Sequence, residues 1–256
     1  RDLIPIGEVS PLFASLEPIP EKERELKIDR PLYSHQQEAL LKANAGNNLV
    51  VTTGTGSGKT ECFLIPIINA LLREQECGTL DYGVRAIIIY PMNALANDQI
   101  KRMRALLKGH EAITFGLYNG NTQHTEKKAF EEYKIANGKD AVPLKNEMIS
   151  RERMQTTPPH ILITNYSMLE YMMLRPKDDA VFSGAKLRYI VLDEAHVYRG
   201  TTGMETAMLM RRLRARISTR DTVQYILTSA TLGGKDANDA IVNFAERLCE
   251  VSFKPE

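Results

Sequence analysis

The feature that most constrains the fold of this sequence is a glycine-rich turn between a short apolar run and a helical pattern. The run occupies residues 49–52, the turn reads TGTGSGKT over residues 53–60, and the helical pattern follows directly. Glycines let the backbone curl so that successive N–H groups point inward at the positive end of a helix dipole, where they bind phosphate oxygens. The strand, turn and helix therefore predict a phosphate-binding loop.

The residues of this loop suit a nucleoside triphosphate and a divalent cation. Lys59 would reach the β and γ phosphates, and the hydroxyl of Thr60 would bind Mg²⁺. The turn departs from the strict G-x-x-x-x-G-K-[ST] pattern at one position, where Thr53 replaces the first glycine. We predict an ATP and Mg²⁺ site whose phosphate contacts come from Thr53, Gly54, Thr55, Gly56, Ser57, Gly58, Lys59 and Thr60.

The rest of the chain alternates short β-branched runs with helical patterns. Strands are predicted over 49–52, 85–90, 113–117, 160–164, 187–192 and 225–228, and helices over 34–43, 59–74, 93–107, 203–214 and 238–248. Several of the strands are apolar without alternation, as expected when both faces are covered. Repeated strand and helix predict a doubly wound, mostly parallel α/β sheet with helices on both faces.

The 256 residues fit one large domain or two small ones. We predict a proline-rich and then charged approach segment over residues 1–30, followed by one ATP-binding domain over 31–256. A polar, lysine-rich stretch at 123–158 is predicted to be a surface insertion with one or two short helices. The chain starts without a methionine and ends on a polar tail, which predicts a piece of a longer protein.

Composition narrows the class of protein further. The longest apolar stretch, 62–72, is far shorter than the roughly 20 residues that span a bilayer, and the N-terminus lacks a signal pattern. Cys62, Cys77 and Cys249 are too widely spaced for a disulfide framework or a zinc site. We expect a cytoplasmic protein without a membrane contact. Its formal net charge of +1 means that any nucleic-acid contact must be local.

Two carboxylates follow the apolar run at 187–192. Because that strand is parallel to the strand before the glycine turn, Asp193 and Glu194 are predicted at the same sheet edge as the phosphates. Asp193 would hold Mg²⁺, while Glu194 would position and deprotonate the attacking water. A further apolar strand ends in small hydroxyl residues that include Ser229 and Thr231.

In their order, these motifs resemble the first RecA-like domain of a superfamily 2 DEAH-box helicase, from about residue 30 onward. The corresponding segments are the adenine-reading stretch at 32–36, motif I at 53–60, motif Ia at 90–99, motif Ib at 116–122, motif Ic at 163–169, the DEAH motif at 193–196 and motif III at 229–231. The order of motifs is fixed in that family, so the resemblance covers nearly the whole domain.

The resemblance implies roles for individual residues. Gln36, beside Tyr33, would hydrogen-bond the adenine edge, and His196 would join Lys59, Asp193 and Glu194 in the catalytic group. Coupling of the nucleotide to the nucleic acid is implied for Ser229, Thr231, Tyr198 and Arg199. Nucleic-acid contacts, expected on the face away from the phosphates, are implied for Pro91, Asn93, Asn119, Gly120, Thr164 and Asn165.

A narrower resemblance lies in the run DEAHVYRGTTG at 193–203. It is similar to bacterial mitomycin-repair helicases and their RecQ-related fungal relatives, a group that includes large helicases of bacterial anti-phage systems. The resemblance implies a 3′ to 5′ DNA helicase of the bacterial cytosol, acting in DNA repair or anti-phage defence, with single-stranded DNA as its partner. Motif Ic has Asn165-Tyr166-Ser167 where the family commonly has Asn-Pro-Asp, which leaves the substrate open.

Two other functions remain open at this stage. The same motifs serve RNA helicases, and they also fit a nucleotide-switched binding module that unwinds nothing. The family's second RecA-like domain, which supplies an arginine finger to the ATP site, is expected as a further partner from the same polypeptide. Without that domain, the chain is expected to bind ATP weakly and to hydrolyse it poorly.

Overall fold

Seven parallel strands form one sheet in a computed structural model that describes residues 3, 7–16, 31–54, 56–217, 223–230 and 238–253. The strands are β1 (Leu49–Thr52), β2 (Ala86–Tyr90), β3 (Phe115–Tyr118), β4 (Glu147–Met148), β5 (Ile161–Asn165), β6 (Tyr189–Leu192) and β7 (Gln224–Ser229). Their order across the sheet is β1-β7-β6-β2-β5-β3-β4. Parallel pairing places the carboxyl ends of all seven strands at one edge of the sheet.

Helices cover both faces of this sheet. They are α1 (Ser34–Asn44), α2 (Lys59–Glu76), α3 (Asn93–Leu107), α4 (Glu126–Asn137), α5 (Arg151–Thr156), α6 (Tyr166–Leu174), α7 (Asp179–Ser183), α8 (Gly200–Arg216) and α9 (Asn238–Cys249). In the central strand β2, Ile88 belongs to the apolar layer that contains buried residues of α1, α2 and α3, whereas Ile87 and Ile89 belong to the layer that contains those of α6, α7, α8 and α9. The predicted doubly wound α/β sheet is confirmed, and the two apolar layers explain why β2 shows no alternation.

The predicted strands and helices are all present, with ends shifted by a few residues, but β4, α6 and α7 were missed. β4 has only two residues, one of which is Glu147, so no apolar run marks it. α7 has five residues, too few for a helical repeat to emerge from the sequence. Short elements such as these are specified by their packing and not by a local pattern.

Residues 123–158 do more than lie on the surface. They carry α4 and α5, as predicted, but they also supply β4, and the side chains of Glu147, Met148 and Met154 are buried. The buried carboxylate of Glu147 accepts hydrogen bonds from Nε of Arg104 at 2.9 Å, which joins this segment to α3. The segment is thus an integral edge of the sheet.

Part of the approach segment packs on the domain. A 3₁₀ turn at Pro11–Ser15 buries Phe13, and the amide of Ser10 donates to Oδ1 of Asn69 in α2 at 2.8 Å. The charged half of the predicted segment, residues 17–30, lies outside the described residues.

The three cysteines are free thiols in different environments. Cys62 and Cys249 are buried and Cys77 is exposed, and none of the three forms a disulfide. Burial raises the pKa of the Cys62 thiol to about 12. Across the described ranges, no helix combines the length and apolarity required to cross a bilayer.

A substitution at Gly116 tests how tightly residues 123–158 pack on the sheet. A Cβ at this position of β3 would lie 2.6 Å from Sδ of Met154 and 3.0 Å from the carbonyl oxygen of Met148. We expect Gly116→Ala to lower the free energy of unfolding by about 1–3 kcal/mol, measured by urea denaturation, because overpacking forces neighbours apart. Gly184→Ala is the control, since its Cβ would enter open space. Equal stability of both variants would show that the segment is loosely attached.

Candidate nucleotide and nucleic-acid site

The glycine-rich turn leaves β1 at the carboxyl edge of the sheet and enters α2. Gly56 and Gly58 have φ angles of +76° and +80°, a region that glycine adopts without a steric cost. The ammonium group of the buried Lys59 donates hydrogen bonds to the carbonyl oxygens of Thr53 at 3.0 Å and Gly54 at 3.1 Å. Lys59 therefore connects the end of the loop to its beginning through these two hydrogen bonds. Thr55, also predicted to contact phosphate, lies outside the described residues.

The departure from the glycine pattern at position 53 has a structural partner. The hydroxyl groups of Thr53 and Ser57 lie 2.6 Å apart and share a hydrogen bond across the loop. A threonine at this position thus adds a cross-link that glycine could not make. Thr60 follows in the first turn of α2 and is partly exposed.

The predicted adenine-reading residues pack directly against the loop. Gln36 donates from Nε2 to the carbonyl oxygen of Gly58 at 3.1 Å and accepts from the amide of Tyr33 at 3.0 Å. His35 Nε2 lies 3.0 Å from the carbonyl oxygen of Ser57, and its ring stacks on the half-exposed ring of Tyr33. These contacts use both ends of the buried Gln36 amide and hold the start of α1 against the loop.

The acidic pair lies two strands from the loop, at the same edge. β6 pairs with β7, and β7 pairs with β1. Asp193 Oδ1 accepts hydrogen bonds from the hydroxyl of Thr228 and from the amide of Glu194 at 3.1 Å. Burial raises the pKa of Asp193, whereas the Thr228 hydrogen bond and the charge of Lys59 act in the opposite direction. The strand order thus places the loop and the acidic pair at neighbouring positions of one sheet edge.

Glu194 and His196 form a second connection between β6 and β7. Nδ1 of His196 lies 3.3 Å from Oε2 of Glu194 and 3.3 Å from Oγ of the buried Ser229. Glu194 has a φ of +49°, which is uncommon for a residue with a side chain and typical of functional sites. The structure thus brings the predicted coupling residue Ser229 to the predicted catalytic residues His196 and Glu194, while Thr231 lies outside the described residues.

The other two predicted coupling residues point in different directions. Tyr198 is buried in the core against α8, and burial raises its pKa. Arg199 is exposed to solvent. A Cβ on Gly203 would lie 2.6 Å from the carbonyl oxygen of Tyr198, so glycine at 203 allows α8 to approach this segment.

Two predicted nucleic-acid residues meet at the ends of β2 and β5. Nδ2 of Asn165 donates to Oδ1 of Asn93 at 2.6 Å, while Oδ1 of Asn165 caps α6 by accepting from the amide of Met168 at 2.7 Å. Pro91 precedes this pair and is partly exposed. These residues lie at the same sheet edge as the phosphate loop, displaced along it. The expected placement on the face away from the phosphates is wrong, because parallel strands all end at one edge.

Thr164 and Asn119 do not present their side chains to a ligand. The hydroxyl of Thr164 is fully buried and donates to the carbonyl oxygen of Tyr118 at 2.7 Å. Oδ1 of the buried Asn119 accepts from the amide of Asn121 at 2.9 Å and shapes the turn that follows β3. Direct side-chain contacts by these two residues are therefore not supported, since both side chains face the protein. Gly120, which follows Asn119 in this turn, is exposed.

Thr228 is a site residue that the sequence did not reveal. It is fully buried within β7, and its hydroxyl bonds both members of the acidic pair, accepting from the amide of Glu194 at 3.3 Å. A threonine in a buried strand is ordinary, so only its position next to β6 identifies the role.

Comparisons with known proteins agree with this geometry. The model of the DEAD/DEAH box helicase family matches residues 33–240. The Druantia protein DruE of Escherichia coli is 34% identical over 86% of this chain and 17% of its own length. The protein YprA of Bacillus subtilis, described as an uncharacterized ATP-dependent helicase, is 28% identical over 97% of this chain and 30% of its own length.

Solved structures give the same picture. The crystal structure of the DUF1998 helicase MrfA bound to DNA is 26% identical and has a TM-score of 0.66, covering 93% of this chain and 28% of that one. The DEAD-box helicase Mss116, at 19% identity and a TM-score of 0.67, supports the fold alone. This chain spans between 17% and 30% of the length of DruE, YprA and MrfA.

Gly58 offers a direct test of the loop geometry. A Cβ there would lie 2.3 Å from Nε2 of Gln36, at a left-handed φ that disfavours any side chain by about 1–2 kcal/mol. We expect Gly58→Ala to weaken binding of a fluorescent ATP analogue by about tenfold or more. Gly54→Ala, whose Cβ would meet nothing within 4 Å, is expected to have a much smaller effect. Similar losses in both variants would contradict the role of Gly58.

Proposed function

Because this chain belongs to the DEAD/DEAH box helicase family, we propose that it is the first RecA-like lobe of an ATP-dependent motor that moves along single-stranded DNA. The observation that carries the proposal is the common edge of β1, β7 and β6, at which the loop with Lys59 and the pair Asp193 and Glu194 leave the sheet. A phosphate-binding loop and a pair of carboxylates separated by one strand are the groups that nucleoside triphosphate hydrolysis requires.

The proposed ATP site uses each residue for a separate task. The loop residues 53–60 would hold the phosphates through backbone N–H groups, with Lys59 on the β and γ oxygens. Glu194 would orient the attacking water and take its proton, and His196 would keep the Glu194 carboxylate in place. Gln36 would bind the adenine edge while it holds the loop through Gly58.

The residues present fit Mg²⁺. The hydroxyl of Thr60 and the carboxylate of Asp193 are hard oxygen ligands. Burial raises the pKa of Asp193, and the hydrogen bond from Thr228 acts against that rise. When bound, the cation would neutralise charge on the phosphate oxygens. Thr228 would orient Asp193 for that purpose through its hydroxyl.

Nucleic acid would bind along the ends of β2, β5 and β3. Asn93, Asn165 and the exposed turn at Gly120 offer amide groups that hold a sugar–phosphate backbone without reading bases, and such contacts need no large basic surplus. DNA is favoured over RNA because the MrfA structure, at 26% identity, is of a complex with DNA. Translocation from 3′ to 5′, a second RecA-like domain and a cytoplasmic location complete the proposal.

The biological role is proposed on narrower grounds. The run DEAHVYRGTTG at 193–203 resembles mitomycin-repair and anti-phage helicases, and DruE is 34% identical. We infer a role in DNA repair or anti-phage defence.

The choice between DNA and RNA is settled by ATPase stimulation of the full-length protein that contains this chain. We expect single-stranded DNA to raise the steady-state rate several-fold and RNA of the same sequence to raise it less. Greater stimulation by RNA would reverse the choice of substrate. Without stimulation by either polymer, the nucleotide-switched binding module would replace the motor. Displacement of duplexes with 3′ or 5′ overhangs reports the direction of movement.

Two substitutions separate nucleotide binding from hydrolysis. We expect Lys59→Ala to abolish binding of a fluorescent ATP analogue because the loop loses its only described cation. Glu194→Gln is expected to bind the analogue normally but to lower kcat by about 10²-fold or more, since the amide cannot accept the proton of water. Both are measured in the full-length enzyme. An active Glu194→Gln protein would disprove the assignment of the base.

A further inference from the structure

The turn after β3 is held by an arginine from the segment at 123–158. Nη2 of Arg151, the first residue of α5, donates to the carbonyl oxygens of Asn119 at 3.0 Å and Gly120 at 3.2 Å. The same guanidinium lies over the ring of Tyr118, 5.5 Å from its centroid. One side chain thus contacts three consecutive residues at the carboxyl end of β3.

The backbone of Arg151 is itself fixed to the chain that leaves this turn. Its amide donates to the carbonyl oxygen of Gln123 at 2.9 Å, and the next amide, of Glu152, donates to that of His124 at 3.0 Å. Ser150 caps α5 by accepting from the amide of Arg153 at 3.2 Å. The guanidinium therefore approaches the turn from a rigid base.

A second residue of α5 holds the strand end from the other side. Gln155 Nε2 donates to Oδ1 of the fully buried Asp178 at 2.6 Å and to the hydroxyl of Tyr118 at 3.1 Å. The Tyr118 hydroxyl also donates to Asp178, whose other carboxylate oxygen lies 3.3 Å from Nε of Arg175. Tyr118 is consequently held at its hydroxyl and at its ring face before the chain enters the turn.

One backbone donor of this turn is not used within the part of the chain that the structure describes. Gly120 is exposed, and its N–H has no hydrogen-bond partner among the residues that the structure describes. The side chain of Asn119 stabilises the turn, because its Oδ1 accepts hydrogen bonds from the amides of Asn121 and Thr122. An exposed backbone N–H in a turn of fixed shape is a donor suited to a phosphate oxygen.

Arg151 and Arg153, two residues apart on α5, differ in their ionic contacts. Within the described ranges, Arg151 makes no ion pair, whereas Arg153 lies 3.6 Å from a carboxylate oxygen of Glu126. Nη2 of Arg153 donates to the carbonyl oxygen of Lys145 at 2.8 Å, away from the turn. The two arginines thus form a natural pair for comparison, with equal charge but different contacts.

We propose that Arg151 is a positioning residue for nucleic-acid binding, which holds the Asn119–Gly120 turn so that its backbone donor meets the phosphate of the bound strand. This inference rests on the proposed function, because the turn matters only if nucleic acid binds there. Arg151 acts through the turn and does not contact the phosphate. Arg151 thereby connects the segment at 123–158 to the proposed binding site.

The test compares variants of the full-length protein for binding of a fluorescein-labelled oligothymidylate by anisotropy and for DNA-stimulated ATPase. We expect Arg151→Ala to raise the Kd for DNA, and the DNA concentration at half-maximal stimulation, by about tenfold, because two hydrogen bonds to the turn are lost. The DNA-free ATPase rate and the KM for ATP are expected to stay unchanged, which also shows that the variant is folded. Arg153→Ala, the matched control, is expected to bind DNA as the parent does.

Arg151→Lys and the salt dependence separate positioning from simple charge. Lysine keeps the charge but lacks the planar group that spans two carbonyls and stacks on Tyr118, so it is expected to bind as weakly as the alanine variant. For Arg151→Ala, the slope of the logarithm of the DNA association constant against the logarithm of the salt concentration is expected to match that of the parent. Rescue by lysine, together with a slope that falls by about one for alanine, would assign Arg151 to a phosphate contact and overturn positioning.

The remaining outcomes are also decisive. Parent-like DNA affinity in Arg151→Ala would overturn this inference and leave the proposed function intact. Failure of the parent itself to bind DNA or RNA would overturn the proposed function and this inference with it.

Discussion

Parallel pairing of all seven strands is the constraint on which the rest of the structure depends. It sends every strand toward one edge, so the segments that leave the strands at that edge lie side by side whatever their distance in sequence. Such a sheet is stable only when both faces are covered, and the opposite sides of β2 show this, with Ile88 in one apolar layer and Ile87 and Ile89 in the other. Burial of the sheet and convergence of the site thus have the same cause.

The strand order also divides the site along the edge. β1, β7 and β6 carry the phosphate loop and the acidic pair, whereas β2, β5 and β3 carry Asn93, Asn165 and the turn at Gly120. The two halves meet where β6 pairs with β2, and there the amide of Asp193 donates to the carbonyl oxygen of Ile89 at 3.1 Å. A displacement of Asp193 would therefore act directly on the backbone at the end of β2. This backbone contact joins the proposed nucleotide half to the proposed nucleic-acid half without an intervening side chain.

Features that a short stretch of sequence specifies were predictable. The loop at 53–60 needs only glycines, a lysine and the flanking elements, and the acidic pair needs only a buried strand before it. Contacts between distant segments were not predictable, since nothing local in the sequence distinguishes Thr228 or Arg151 from other threonines and arginines. The same reason applies to Thr164, whose hydroxyl was predicted to contact nucleic acid. The sequence does not show that the end of β3 lies beside it, where the carbonyl oxygen of Tyr118 accepts its hydrogen bond. Sequence thus indicated which chemistry is present, and the fold decided which side chains are free to perform it.

The environments of the three cysteines make this chain convenient for optical measurements. Cys62 and Cys249 are buried, and a thiol whose pKa is about 12, as for Cys62, hardly ionises at neutral pH. Cys77 is exposed and lies at the far end of α2, whose 18 residues span about 27 Å from the phosphate loop. A maleimide dye would therefore attach to this chain at Cys77, at the opposite end of α2 from the glycine-rich loop. Such a label would report the orientation of this domain without a contact to the sheet edge that carries the proposed site.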